Sequence, residues 1–206
     1  MTAETAEGRA ENWEGSRVGI LGGTFDPPHV GHVRMAVAAR DALGLDRVFF
    51  SPAPRPPHKG GAEASPYAHR VAMVEAAIAG EEHLAVTRIE EAHDTSYTVL
   101  LLRACRERTS ADLYFIMGAD SLAELASWRD PEEVMRLATL VVFPRGRGVV
   151  RAPAAREASL VVFEAPVIDV SSTAIRSRLE RGETGADGLA PAVERYLAQH
   201  RLYPRA

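Results

Sequence analysis

The sequence predicts an α/β protein with a doubly wound, mostly parallel β-sheet and helices on both of its faces. Short runs rich in β-branched and aromatic residues alternate along the chain with longer runs of helical periodicity. This alternation is typical of parallel strands joined by helices. The runs 18–21 and 113–117 are almost wholly apolar, as strands covered by helices on both faces should be.

The hydrophobic pattern then places each element in order. The expected strands are 17–21, 47–51, 84–89, 112–117, 140–143 and 160–164. The expected helices are 31–43, 67–79, 96–108, 120–126, 131–137, 172–181 and 191–200. Ligands of doubly wound sheets bind beyond the carboxyl ends of the strands, so chemistry is expected in the loops after the first, second and fourth strands.

Two of the connecting segments have unusual compositions. The segment 52–66 contains five prolines, which makes it too stiff and polar for a helix and too short to separate two domains, so we expect a substrate-facing loop. The segment 144–153 interleaves glycines with arginines and is expected to be a mobile surface loop.

Composition limits the function classes. The 206 residues carry 24 Lys and Arg against 28 Asp and Glu, a net charge of −4 that argues against a basic nucleic-acid binder. The length fits one domain, 17–206, with a C-terminal helical subdomain at 167–206. Residues 1–16 carry four glutamates and one arginine, the wrong charge for a targeting peptide, and are expected to form a disordered acidic tail.

Cysteine usage and hydropathy predict a location. The single cysteine, Cys105, cannot form an internal disulfide and is expected to be a small core residue. No apolar run approaches the roughly 18 residues that a transmembrane helix needs. We therefore expect a cytoplasmic protein that binds neither membrane nor nucleic acid.

The loop after the first strand, GGTFDPPHVGH at 22–32, predicts an anion site. Its two glycines allow the backbone to approach a ligand closely, and the amides at the next helix start donate to anions, of which phosphate is the obvious one. The segment is not the GxGxxG fingerprint, and the chain has no GxxxxGK[ST] loop, which disfavours the common dinucleotide and P-loop interpretations.

His29 and His32 lie three residues apart at the start of the expected helix, so both rings could reach one phosphate chain. A metal pair is an alternative, but a third ligand is not evident nearby and the helix start prefers an anion. Helix capping and packing is the remaining alternative.

These residues resemble the signature of the nucleotidyltransferase superfamily that ends in HxGH, and more specifically that of bacterial nicotinate-nucleotide adenylyltransferases. A second match, VSSTAIR at 170–176, resembles the C-terminal signature of the same superfamily. Its hydroxyl residues favour a helix start, where Arg176 falls one turn in and can contact the same anion. The resemblance implies a Rossmann-like nucleotidyltransferase fold.

Three middle segments resemble the same family. They are PPHK at 56–59, SYT at 96–98, and DLYFIMGADSLAELASW at 112–128. Each has a simpler explanation: a basic turn, a helix cap at Ser96, and a tryptophan of the core. The chain departs from the family pattern at Ala92, Leu100, Leu101 and Arg129, and Arg145 lies in only a rough match to the family's RPG turn.

The resemblance implies adenylyl transfer from ATP to nicotinate mononucleotide, with magnesium carried on the ATP phosphates, no metal held by the protein, and a homodimer left open. Catalytic roles are implied for His29, His32 and Arg176. An ATP site is implied for Gly22, Gly23, Thr24, Phe25, Gly118, Asp120, Ser171, Ser172 and Thr173. A mononucleotide site is implied for His58, Lys59, Thr98, Trp128 and Arg145.

Other functions remain as alternatives. An adenylyltransferase for nicotinamide mononucleotide or phosphopantetheine shares the two phosphate motifs. A class I aminoacyl-tRNA synthetase shares an HxGH-like loop, but this acidic chain lacks the length and an evident tRNA-binding domain. A nucleotide-binding regulator that keeps the fold without turnover is the alternative from a different class.

Overall fold

Six parallel strands form the centre of the fold. The computed structural model describes residues 12–56, 64–144, 160–163, 170–183 and 187–203. The strands run β3-β2-β1-β4-β5-β6 across the sheet, and all neighbouring pairs are parallel. The strands are β1 (Arg17–Gly23), β2 (Arg47–Pro52), β3 (Leu84–Val86), β4 (Asp112–Gly118), β5 (Thr139–Phe143) and β6 (Leu160–Val162). The predicted doubly wound sheet is confirmed, and it is wholly parallel in the described part of the chain.

Helices cover both faces of this sheet. The α-helices are α1 (Val30–Leu43), α2 (Tyr67–Ala77), α3 (Thr98–Arg108), α4 (Ala119–Ala123), α5 (Pro131–Leu137), α6 (Ser172–Glu180) and α7 (Pro191–His200), and a 3-10 helix occupies Leu125–Ser127. One core packs α3, α4 and α5 against one face, and a second packs α1 and α2 against the other. Neighbouring strand residues alternate between the two cores, as Ile20 and Leu21 do.

The order of the strands fixes where a ligand can bind. β1 lies beside β4, but the chain leaves β1 toward α1 on one face and leaves β4 toward α4 on the other. The two departing loops therefore open a crevice at the carboxyl ends of these strands, the usual ligand position in this topology.

The expectation of a loose tail through residue 16 is wrong for its last residues. Trp13 is only 8% exposed and stacks on Phe49 with ring centroids 4.1 Å apart. Ser16 extends the pairing of β1 with β4, since its carbonyl accepts the backbone N–H of Asp112. A large aromatic surface gains free energy by leaving water, which the charge pattern of the segment did not reveal. Residues 1–11 lie outside the described residues.

Several element boundaries also differ from prediction. β3 ends at Val86 because Thr87 begins a turn, in which its side-chain oxygen accepts the N–H of Ile89. α3 begins at Thr98, two residues late, because Ser96 pairs with the backbone of Arg55. The expected helix 120–126 is instead α4 followed by the 3-10 helix.

α6 and α7 form a third core with α2. Ile175, Val193 and Leu197 pack with Met73 of α2 in this core. Cys105 is fully buried, as predicted. No helix in the described ranges is long and apolar enough to cross a membrane.

Candidate active site

The loop after β1 begins with glycines that its own packing requires. A Cβ on Gly23 would lie 3.1 Å from the Phe25 ring, and one on Gly22 would lie 3.3 Å from the ring of Phe115. Phe25 has a φ of +52°, an uncommon left-handed conformation for a bulky residue, and it is 2% exposed. The buried ring anchors the loop, so any contact of Phe25 with ATP would come from its backbone.

The two predicted histidines lie at the start of α1. His29 is the N-cap residue and His32 lies in the first turn, and their rings stack with centroids 3.7 Å apart. The backbone N–H of His29 donates to Nδ1 of His32 at 3.1 Å. The neutral His32 ring therefore carries its proton on Nε2. The structure brings both rings to the positive end of the α1 dipole, as the spacing predicts.

Asp26, between the glycines and the histidines, is a buried carboxylate that is 4% exposed. Its Oδ1 accepts the Tyr203 hydroxyl at 2.5 Å, and its Oδ2 accepts the backbone N–H of Ser65 at 3.3 Å. Burial acts to raise the pKa of Asp26, but these hydrogen bonds and the nearby Arg176 charge outweigh it and hold that pKa below its usual range. The carboxylate is therefore charged inside the loop.

The C-terminal motif contacts the same loop. Arg176 Nη1 donates to the carbonyl of Asp26 at 2.6 Å, and the Ser172 hydroxyl donates to the carbonyl of Pro27 at 2.9 Å. Ser171 caps α6, since its hydroxyl accepts the N–H of Ala174. Thr173 is exposed and accepts from Arg176 Nη2 at 3.4 Å. The two sequence signatures, far apart in the chain, thus meet in the structure.

The loop after β4 offers an open surface. Gly118 is the N-cap residue of α4, and a Cβ there would meet no described atom within 4 Å. Within the described part of the chain, no neighbouring atom requires a glycine at position 118. The open space beside it is large enough for part of a ligand to approach the backbone. Asp120 lies exposed in the first turn of α4.

Two residues of the expected mononucleotide site, Thr98 and Trp128, lie in the described part of the chain. Trp128 is half-buried and packs edge-on to Phe115 with centroids 6.1 Å apart, so it is both a core contact and accessible. Thr98 is the first residue of α3. The guanidinium of Arg129 lies 5.2 Å from the centroid of the neighbouring Tyr97 ring. His58, Lys59 and Arg145 lie outside the described residues.

Comparison with known proteins decides the family. A family model described as cytidylyltransferase-like matches residues 20–178. A probable nicotinate-nucleotide adenylyltransferase of Thermomicrobium roseum is 41% identical over 199 residues, covering 91% of this chain and 92% of that protein. The chain belongs to the nicotinate-nucleotide adenylyltransferases. A second member, from Bacillus pumilus, is 39% identical over 190 residues, which are 91% of this chain and 98% of its own.

Solved structures share the adenylyltransferase fold. The nicotinic acid mononucleotide adenylyltransferase of Plasmodium falciparum, complexed with NaAD, superposes with a TM-score of 0.76 at 17% identity, covering 92% of this chain and 98% of its own. A putative nicotinate-nucleotide adenylyltransferase from Vibrio parahaemolyticus gives 0.67 at 21% identity, covering 93% and 97%. At these low sequence identities, the structural likeness shows only that the fold is shared.

Arg70 is a residue of this adenylyltransferase that sequence reasoning missed. It is 2% exposed, and its guanidinium donates to the carbonyls of Thr24 at 2.8 Å and Ser65 at 2.9 Å. Burial lowers its pKa and the Asp26 charge opposes this, so the guanidinium stays protonated. It places a positive charge beneath the glycine loop. No motif signals this role, because the Thr24 carbonyl lies 46 residues away in sequence.

Glu90 is a second missed group. It is 3% exposed and accepts the Ser51 hydroxyl at 2.6 Å, and Ser51 pairs with Gly22 in the sheet. Burial raises the pKa of Glu90 to about 7, although the Ser51 hydrogen bond opposes it. The acidic pair of Glu90 with Glu91 was the only sequence signal, and an acidic pair is usually a solvated turn.

The donor set of the site suits phosphate rather than a directly bound cation. Within the described ranges, no three His, Cys, Asp or Glu side chains come together so that they could hold a metal ion. His29, His32 and Arg176 are donors to anions. The one nearby carboxylate, Asp26, already accepts from Tyr203 and Ser65.

Proposed function

We propose that this chain transfers the adenylyl group of ATP to nicotinate mononucleotide, which gives nicotinate adenine dinucleotide and pyrophosphate. The observation that carries the proposal is the stacked pair His29 and His32 at the start of α1, on a glycine loop at the carboxyl ends of β1 and β4. Family membership supplies the substrate class, and the phosphate-binding geometry supports the chemistry.

The proposed reaction needs no protein nucleophile. An oxygen of the mononucleotide 5′-phosphate attacks the α-phosphorus of ATP in line, a new P–O bond forms, and the bond from the α-phosphorus to the bridging oxygen breaks. The electron pair leaves with pyrophosphate. A phosphate monoester with a second pKa near about 6 is already largely dianionic at neutral pH, so no general base is needed. The protein positions the groups and stabilises charge.

In this proposal, His29 and His32 donate to the triphosphate, and the backbone of Gly22, Gly23 and Thr24 holds it. The Arg176 guanidinium has five N–H donors, so its contacts with Asp26 and Thr173 leave others for the departing pyrophosphate. Ser171 and Ser172 build this end of the site through their contacts with α6 and with Pro27.

The adenosine is proposed to lie against the open side of Gly118, with Asp120 accepting from ribose hydroxyls. The substrate is ATP with its magnesium, which the phosphates would hold, since the protein side of the site offers mainly cationic and neutral donors. The magnesium supplies charge neutralisation on the triphosphate.

The nicotinate ring is proposed to stack on Trp128, with Thr98 beside it. The Arg129 cation, held over Tyr97 next to Thr98, favours an anionic ring substituent. A carboxylate needs only donors, whereas the amide of nicotinamide needs a donor and an acceptor. His58, Lys59 and Arg145 are proposed to contact the mononucleotide phosphate.

The test is magnesium-dependent pyrophosphate release from ATP with three acceptors in turn: nicotinate mononucleotide, nicotinamide mononucleotide and phosphopantetheine. We expect release with the nicotinate form at a kcat/KM at least about tenfold above that with the others, a difference of about 1.4 kcal/mol. Preference for another acceptor would keep the chemistry and overturn the assignment of the ring pocket. ATP binding without release for any acceptor would favour a regulator.

A further inference from the structure

The loop that presents the two histidines is held by a side chain from the other end of the domain. Asp26 stands three residues before His29, and its Oδ1 accepts the hydroxyl of Tyr203 at 2.5 Å. A buried carboxylate must keep strong partners, because burial without them costs much free energy. The Ser65 backbone N–H also donates to this carboxylate, at the longer distance of 3.3 Å, and the Ser65 side chain hydrogen-bonds it as well.

Tyr203 reaches Asp26 because the chain turns sharply after α7. Arg201 and Tyr203 have φ values of +51° and +55°, which are strained for residues with side chains. The N–H of Leu202 donates to the carbonyl of Leu197, and both Leu202 and Tyr203 pack on the core that α2, α6 and α7 share. Such strain persists where the surroundings fix the conformation.

The other contacts from the C-terminal region hold only the backbone of the loop. Arg176 and Ser172 donate to the main-chain carbonyls of Asp26 and Pro27, and the carbonyl of Gly188 accepts the N–H of Val30. The hydrogen bonds of Arg176 and Ser172 thus reach main-chain oxygens, although the Arg176 charge also acts on the Asp26 carboxylate from nearby. The Tyr203 hydroxyl is therefore the contact through which the C-terminal region hydrogen-bonds the Asp26 carboxylate in the described part of the chain.

We propose that Tyr203 is a positioning residue of the phosphate site: its hydroxyl fixes the Asp26 carboxylate, and through Asp26 it fixes the loop that carries His29 and His32. The inference rests on the proposed function for its effect on turnover, but its effect on the loop does not depend on any activity. Tyr203 itself touches neither histidine in the contacts described above.

The test variant is Tyr203→Phe, which keeps the ring and its packing. The matched control is Tyr196→Phe on α7. This change removes a hydroxyl that hydrogen-bonds Nδ1 of His69 at 2.9 Å, a contact in which the loop at 22–32 takes no part. For both we would measure kcat and KM for ATP and for nicotinate mononucleotide, the melting temperature, and hydrogen exchange of the backbone amides in 22–33.

We expect Tyr203→Phe to lower kcat by about tenfold or more with a smaller change in either KM, because misplaced catalytic groups lose transition-state stabilisation. Exchange of the loop amides should become faster. Tyr196→Phe should stay within about twofold of the native kcat and leave loop exchange unchanged. Equal losses of kcat and melting temperature in both variants would overturn the proposal, since a general packing role predicts that result.

A double variant separates action through Asp26 from an independent role. If Tyr203 acts through Asp26, adding Tyr203→Phe to Asp26→Asn should lower kcat little further than Asp26→Asn alone. If the fold-losses in kcat of the two single variants multiply in the double variant, the proposal is overturned. If the native enzyme shows no transfer at all, the proposed function fails, and unchanged loop exchange in Tyr203→Phe would still separately overturn the positioning role.

Discussion

His32 uses its two ring nitrogens for different tasks. Nδ1 accepts the His29 N–H within the helix start, and Nε2–H is the donor proposed for the triphosphate. An asparagine places its oxygen near the position of Nδ1 but does not extend to Nε2. We expect His32→Asn to keep the melting temperature while kcat falls about 100-fold or more, as loss of a preorganised charge-stabilising donor does.

His32→Ala is the companion variant, because it removes both nitrogens. We expect a similar loss of kcat and a modest additional loss of stability, since the His29 N–H loses its partner. Pyrophosphate release and thermal unfolding measure the two effects. Full activity in His32→Asn would assign His32 to capping and packing alone.

Glu90 makes stability depend on pH. Its pKa lies at about 7 in the folded protein against an ordinary 4.5, so the folded state holds this proton more tightly than the unfolded chain. The resulting stabilisation is complete below pH about 4.5 and is lost as the pH rises to about 7, by about 3 kcal/mol in total. Glu90→Gln keeps an oxygen for Ser51 and has no charge to bury.

Denaturant unfolding of the native protein and of Glu90→Gln at several pH values measures this effect. We expect the free energy of unfolding of the variant to rise relative to that of the native protein between about pH 5 and about pH 7, and to stay level above it. If the free energies of unfolding of the two proteins change in parallel with pH across this range, folding does not raise the pKa of Glu90.

Single residues differ in how far sequence could predict their roles. His29, His32 and Arg176 lie in contiguous motifs, and the structure brings them to one loop as expected. Arg70 and Tyr203 were not foreseen, because their partners Thr24 and Asp26 lie 46 and 177 residues away in sequence. A motif records neighbours along the chain, and these contacts are made only by the folded topology.

At the scale of elements, Arg70 of α2 ties the loop after β1 to the segment before α2. Its guanidinium donates to the carbonyls of Thr24 and Ser65 from a buried position. A lysine cannot reach two such carbonyls with one planar fork. We expect Arg70→Lys and Arg70→Met each to lower the free energy of unfolding by about 2 to 4 kcal/mol.

Arg103→Met is the matched control, because Arg103 is a half-exposed arginine of α3 whose partners Asp130 and Glu133 lie at 3.9 and 3.6 Å. Exposed ion pairs contribute about 0 to 1 kcal/mol, so this variant should lose less than about 1 kcal/mol in the same denaturant titration. Similar losses at Arg70 and Arg103 would contradict the tie between the two loops.

Elements themselves were largely predictable, because buried parallel strands leave continuous apolar runs. One error lies where a side chain meets a distant loop, and another where a side chain forms a local turn. The helix was expected to begin at Ser96, which instead pairs with Arg55, and Thr87 turns the chain out of β3 by accepting the N–H of Ile89. Local propensity could not reveal the contact of Ser96 with Arg55, which lies 41 residues away.

At the scale of the whole molecule, the segment before β1 belongs to the core. Trp13 stacks on Phe49 of β2 and packs in the core between the sheet and α3. We expect Trp13→Ala to lower the free energy of unfolding by about 3 to 5 kcal/mol, as removal of a buried aromatic ring does. Thermal unfolding checks this, and Trp13→Phe should recover part of the loss. No change in Trp13→Ala would restore the loose-tail interpretation.

The contacts between the first loop and the C-terminal helices also set an order of events during synthesis. Ser172, Arg176 and Tyr203 follow their partners by 145, 150 and 177 residues, and a ribosome adds about 5 to 20 residues per second from the N-terminus. The histidines emerge early, but these three C-terminal contacts of their loop become available only after the strands β1 to β6 have been made. A nascent chain can therefore complete its sheet before it can form the contacts that join this loop to α6 and to the segment after α7.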